Sequence, residues 1–138
     1  MKAISLALGL ALFISTSYAQ KEIAPAAVKK AFASAFPGAT AKWEKEKSDF
    51  EANFKKDGKA MSAVFSADGT LKETEMAIAV KELPAPVAEY IAKHYKDAAI
   101  KEAAKITKAD GTVNYEAEVN HKDVLFDSDG KFLREEKD

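Results

Sequence analysis

Along the chain, the period of apolar positions switches from helical to strand-like, and then does so again. From Ile23 to Pro37 apolar residues fall at Val28, Ala31, Phe32, Ala35 and Phe36, the spacing of a helix with one apolar face. Pro25 suits the first turn of that helix, and Pro37-Gly38 ends it. Beyond it the period drops to two. Ala41 and Trp43 alternate with Lys42 and Glu44, and Phe50, Ala52 and Phe54 alternate with Glu51, Asn53 and Lys55. The switch recurs downstream. Val87, Tyr90, Ile91, His94 and Tyr95 form a second helical stripe behind Pro84 and Pro86, and Tyr115, Ala117 and Val119 then alternate with Glu116, Glu118 and Asn120. Asp-Gly pairs at 57–58, 68–69, 110–111 and 129–130 mark tight reversals between strands.

The two halves also share residues. Phe65-Ser-Ala-Asp-Gly-Thr-Leu-Lys-Glu-Thr-Glu75 returns as Phe126-Asp-Ser-Asp-Gly-Lys-Phe-Leu-Arg-Glu-Glu136, and Phe50-Glu-Ala-Asn-Phe54 returns as Tyr115-Glu-Ala-Glu-Val119. A period of about sixty residues is too long for a short solenoid repeat, so two units must share one core. The pattern predicts an α+β fold built by tandem duplication of a helix plus a four-stranded antiparallel meander. The product is one curved sheet of up to eight strands with both helices on one face. Strands are expected near 40–47, 50–56, 59–66, 70–79, 100–108, 112–120, 123–127 and 131–136. Residues 20–82 form the first repeat and 83–138 the second, in one compact unit.

Residues 1–19 read as a secretory signal: Lys2, an apolar run from Ile4 to Ile14, then Ser17-Tyr18-Ala19 as the cleavage site. The run is shorter than the ~20 residues that span a bilayer, so no stable membrane anchor is expected, and the product belongs in the periplasm or outside the cell. Cysteine is absent, which removes both disulfides and a lipid-modified cysteine from consideration. The formal net charge is −1 and the sole arginine is Arg134, a composition without the basic footprint of nucleic-acid binding.

Catalytic motifs are missing. The histidines are His94 and His121, and no serine stands in a nucleophile-elbow pattern. His94 reads as a partly buried structural imidazole on the apolar edge of its helix, or one favoured by the helix C-terminal dipole; His121 falls in a turn. Asp127-Ser-Asp129-Gly130 with Glu136 resembles part of a calcium loop, but Leu125 stands where the first aspartate belongs and Val64 does so in the other copy, so turn chemistry is the expectation. No metal or cofactor is expected. Glu51, Glu116 and Glu118 read as a solvated strand face. Trp43 is expected in the core beneath a helix, near Phe32, Phe36, Phe50 and Phe54.

The tryptophan strand, "FEANFKKDGKAMSAVFSADGTLKETE", the proline-initiated "LPAPVAEYIAKHY", and the echoes "YEAEV" and "FDSDGKFLREE" together resemble the PepSY-like family, also described as β-lactamase-inhibitor-like. The resemblance covers nearly all of the chain after the signal, and departs where Ile100 to Ile106 replace the tryptophan strand. It implies a helix-on-sheet fold and a binding or inhibitory role, with no catalytic residues to carry over.

Three functional readings follow. The leading one is a non-catalytic exported binding module, a protein inhibitor of a hydrolase in its sharpest form, whose partner is a protein in the envelope or outside the cell. Its candidate surface comprises Lys42, Glu44, Glu51, Asn53, Glu116 and Glu118 on the open sheet face, with Lys56 and Asp57 at a projecting hairpin tip. The alternative is a periplasmic small-ligand or envelope-stress carrier, which requires a sizeable apolar cavity between helices and sheet. An enzyme would require a deep cleft in which Glu51 and Glu116 lie buried together.

Overall fold

The computed structural model describes residues 22–137; the signal reading of residues 1–19 lies outside them. Helix α1 (Ala26–Ala35) precedes strands β1 (Lys42–Glu46), β2 (Asp49–Lys56), β3 (Lys59–Phe65) and β4 (Leu71–Ile78). Helix α2 (Ala85–His94) precedes β5 (Glu102–Lys108), β6 (Val113–Val119), β7 (Lys122–Asp127) and β8 (Phe132–Lys137). All eight expected strands are present, in one antiparallel sheet whose spatial order is the chain order. A single-turn 3-10 segment, Val80–Glu82, joins the halves, and the Glu82 carboxylate accepts the Ala79 N–H at 2.6 Å to close it.

Both helices lie on one sheet face. Under α1, Val28 and Phe32 meet Phe50, Ala52, Phe54, Ala63 and Phe65; under α2, Val87 and Ile91 meet Ala103, Ala117, Val119, Val124 and Phe126. Phe32 holds edge-to-face contacts with Trp43 at 5.4 Å and Phe54 at 5.0 Å, as expected for a core tryptophan. Strand pairing shows how the second copy does without that ring. Trp43 opposes Ala52, and its counterpart opposing Ala117 is Ala103, buried among Ile100, Tyr95 and Ile78.

The helices are shorter than the sequence pattern reads. Pro25 and Pro84 sit at the N-caps, just outside the helix, because their extended ψ of 156° and 141° cannot continue it. Ala35 is exposed, since the stripe that faces the sheet passes from Phe32 to Phe36. His94 is also exposed, in the last turn of α2, where its ring stacks on Tyr90 at 3.9 Å; it is not the partly buried imidazole that the apolar stripe suggested.

Two reversals show how the turns are specified. Asp57 and Gly58 both have positive φ (51° and 77°), the two-residue turn that matches strand twist. Asn120 and His121 do the same without glycine (52° and 58°) between paired Val119 and Lys122. In the Asp68-Gly69 and Asp129-Gly130 hairpins glycine serves a second purpose, close approach to a helix start. A Cβ on Gly69 would lie 2.8 Å from the Ala27 carbonyl oxygen, and one on Gly130 3.1 Å from both Pro84 and Pro86. Asp127 accepts N–H bonds from Asp129 and Lys131, both at 2.9 Å, the turn chemistry expected of that acid.

Candidate binding face

Cross-strand partners share a face, so the register assigns every strand residue to the helix side or to the opposite side. Along the opposite side four rows run across the strands. The first is Glu44, Glu51, Val64, Glu73, Lys108; the second is Lys42, Asn53, Ser62, Glu75, Ile106, Asn114, Asp127. The third is Lys55, Ala60, Ala77, Ala104, Glu116, Leu125, Arg134, and the fourth Glu102, Glu118, Asp123, Glu136. Acidic side chains outnumber basic ones on this face, and they stand on every strand except β3.

The four buried acids of this face, with the half-buried Glu73 between them, form a diagonal. It runs from Glu51 on β2 through Glu73 and Glu75 on β4 to Glu116 on β6 and Asp123 on β7. Glu75 is 2 % exposed, Asp123 2 %, Glu51 3 % and Glu116 6 %. This corrects the expectation that Glu51 and Glu116 would be solvated: period two correctly places them away from the helices, but Val64, Ala104, Ile106 and Leu125 pack beside them and keep water off. Neither carboxylate oxygen of Glu75, nor Oε2 of Glu116, has a hydrogen-bond partner.

Burial without pairing raises a carboxyl's pKa. The Glu51 carboxyl rises from 4.5 to about 7, chiefly by desolvation and then by repulsion from Glu44, Glu46 and Glu73. Glu116 rises to about 8, through desolvation and then Asp123 and Glu136. Glu75 is pushed well up by desolvation and by Glu116, and Glu73 is raised by desolvation.

Of the residues singled out from sequence, Lys42, Glu44, Glu51, Asn53, Glu116 and Glu118 do share this face. Lys56 does not. It opposes Lys59 on the helix side, where its Nζ stands 5.9 Å from the Phe36 ring centre, while Asp57 occupies the exposed turn. Glu51 and Glu116 lie four strands apart, roughly 19 Å at ~4.8 Å per strand, too far to act on one bond as paired acid and base. Among the described residues no group of three or more acidic, histidine or cysteine side chains is arranged to hold a metal ion.

Sequence reasoning missed Glu73, Glu75 and Asp123. A β-bulge hides the first two: Phe65 opposes Leu71 but Val64 opposes Glu73, leaving Lys72 extra and switching the face of every later β4 residue. The signal was present in the spacing of Leu71 and Met76, an odd interval that puts both on the helix side only if a residue is inserted between them. Asp123 is hidden because it adjoins the unbroken apolar run Val124-Leu125-Phe126, where alternation cannot be read.

Helices confined to one side of an eight-stranded up-and-down sheet, with carboxylates massed on the other, define a duplicated α+β module with an open sheet face. A family model described as "Putative beta-lactamase-inhibitor-like, PepSY-like" matches residues 14–72 and again 50–134, and the chain belongs to that family. Solved structures share the fold. One from Bacteroides eggerthii, described as a "putative periplasmic" protein, is 20% identical with a TM-score of 0.75 over 83% of this chain and 89% of its own. A DUF2874 family protein from Bacteroides uniformis is 20% identical with a TM-score of 0.73, over 82% and 88%. A BLIP-like protein from Bacteroides fragilis is 20% identical with a TM-score of 0.68, over 85% and 88%. Among curated proteins none matches the chain. No helix of the described residues is long and apolar enough to cross a membrane.

Proposed function

We propose that this protein is an exported, non-catalytic binding module that engages a protein of the cell envelope or its surroundings through the helix-free sheet face. One observation carries the reading: a face assembled from all eight strands holds the buried Glu75 carboxylate with neither oxygen hydrogen-bonded, and beside it the buried Glu116 with Oε2 unpartnered, among the described residues. Buried polar groups left without partners cost stability, so a fold that keeps them at the centre of an open face is best explained by a partner that satisfies them. The exported location is supported by the Lys2-to-Ala19 leader pattern and by a structural relative described as periplasmic. The inhibitor form of the reading is supported by the family description and the BLIP-like relative, both of which concern resemblance of fold.

A carrier with its ligand between helices and sheet is less well supported, because that space is filled by the two apolar clusters. The test is photo-cross-linking from Asn53 and Ala104, both on the open face, in envelope extract of the producing organism. A single partner should be captured from these positions, lost on Glu51→Lys/Glu116→Lys, and absent when the cross-linker sits on the outer surface of α2 at Ala88. Equal capture from both faces would reject the assignment of the sheet as the binding surface. If the partner is a hydrolase, its turnover with and without this protein decides the inhibitor form.

A further inference from the structure

We propose that the diagonal band Glu51–Glu73–Glu75–Glu116–Asp123 is the docking track for a lysine- or arginine-bearing segment of the partner protein. The inference rests on the binding-module reading and specifies its occupant. Charge complementarity is the first argument. The face is dominated by acids, and its most deeply placed member, Glu75, is 2 % exposed with both oxygens unpartnered, while Glu116 keeps one unpartnered oxygen. An apolar or acidic occupant would bury these groups further with nothing to compensate them, and a neutral polar one would bring donors without charge; ammonium and guanidinium groups supply donors and charge together.

Spacing is the second argument, and it favours a chain over a point ion. The band crosses from β2 to β7, roughly 24 Å at ~4.8 Å per strand. Glu51 and Glu73 are two strands apart, roughly 10 Å, and Glu73 and Glu75 are two residues apart on one strand, about 7 Å. Glu116 lies about 12 Å beyond Glu75, two strands across and one row along, and Asp123 about 8 Å beyond that. No single cation reaches these carboxylates at once, in keeping with the absence of a metal-holding group among the described residues. Basic side chains on one side of an extended segment recur every ~6.8 Å and at i, i+7 of a helix every ~10.5 Å, intervals that long flexible lysines can adapt to the band.

The experiment is isothermal titration of the intact protein with decalysine at pH 8.5 and low salt, above the values of about 7 for Glu51 and about 8 for Glu116, with decaglutamate as the opposite probe. Decalysine should bind and decaglutamate should not. The Glu75→Gln/Glu116→Gln variant should weaken decalysine binding roughly tenfold or more, while Glu82→Gln/Glu89→Gln, which makes the same two changes at exposed positions before and within α2, should leave it within about twofold. Because glutamine keeps the shape and removes a buried ionisable group, the first variant is expected to be at least as stable as the wild type, and its melting curve verifies this. Equal weakening by both variants, or no decalysine binding by the wild type, overturns the proposal. Partner capture that survives while decalysine fails discards the cationic occupant but keeps the binding face; loss of face-specific capture removes the reading beneath it.

Discussion

Replacing Glu51 by glutamine should change how stability depends on pH, and the sign follows from which state holds the proton. The Glu51 carboxyl titrates at 4.5 in its ordinary setting and at about 7 in the fold. Between those values the folded chain holds a proton that the unfolded chain has released, so stability falls as pH rises, by up to ~1.4 kcal/mol per pH unit. Across that window the shift amounts to ~3 kcal/mol, which we reduce to ~2 kcal/mol because β2 is one strand from the sheet edge and water screens part of the field. Glu116 acts in the same direction over a window reaching about 8. The opposing groups work at lower pH: Asp68, held at about 2 chiefly by the Ser66 hydroxyl, Asp110, lowered by Thr112, and Glu135, lowered by Lys122, lose their contributions as pH falls below about 4.5. Urea unfolding of the wild type from pH 3 to 9 should therefore show maximal stability at about pH 4.5 and a decline above it. Glu51→Gln should match the wild type at pH 4.5 and exceed it by ~2 kcal/mol at pH 8.5. Equal stability of the two proteins at pH 8.5, or a wild-type curve that is flat between pH 5 and 8, would refute the reasoning.

Other consequences are structural. Phe65→Ala and Phe126→Ala each empty a fully buried position of their repeat's core and should each cost ~3–5 kcal/mol in urea unfolding, by similar amounts because the repeats are equivalent. Gly69→Ala should cost ~2 kcal/mol or more, combining a left-handed backbone at φ 90° with a 2.8 Å approach to the Ala27 carbonyl; Gly111→Ala, at φ 86° with open space around it, should cost only ~1 kcal/mol. His121→Gly should stabilise by ~0.5–1 kcal/mol, measured as a raised thermal midpoint, since it relieves positive φ in the β6–β7 turn.

Most of the architecture was legible in the sequence because two separate signals agreed. Period 3.6 giving way to period 2 located helices and strands, and the echo of Phe50–Phe54 in Tyr115–Val119 fixed the equivalent positions of the two halves. Helix ends were overcalled because Ile23 and Ala35 extend the apolar stripe without facing the sheet. The binding face was half legible. Alternation put Glu51 and Glu116 opposite the helices, but it says nothing about whether neighbours such as Ile106 and Leu125 exclude water there. Glu75 was lost for a different reason: one inserted residue in β4 reverses side-chain direction, and the same device at Leu133 places Arg134 and Glu136 on the open face in the second repeat.

The most direct test of the account is a carbon-13 NMR titration of the glutamate carboxyl resonances in the intact protein. Burial of an acidic band on the helix-free face predicts midpoints of about 7 for Glu51 and about 8 for Glu116, with Glu75 also titrating well above 4.5. Midpoints for all three near 4.5 would mean an ordinary wet sheet surface and would contradict it.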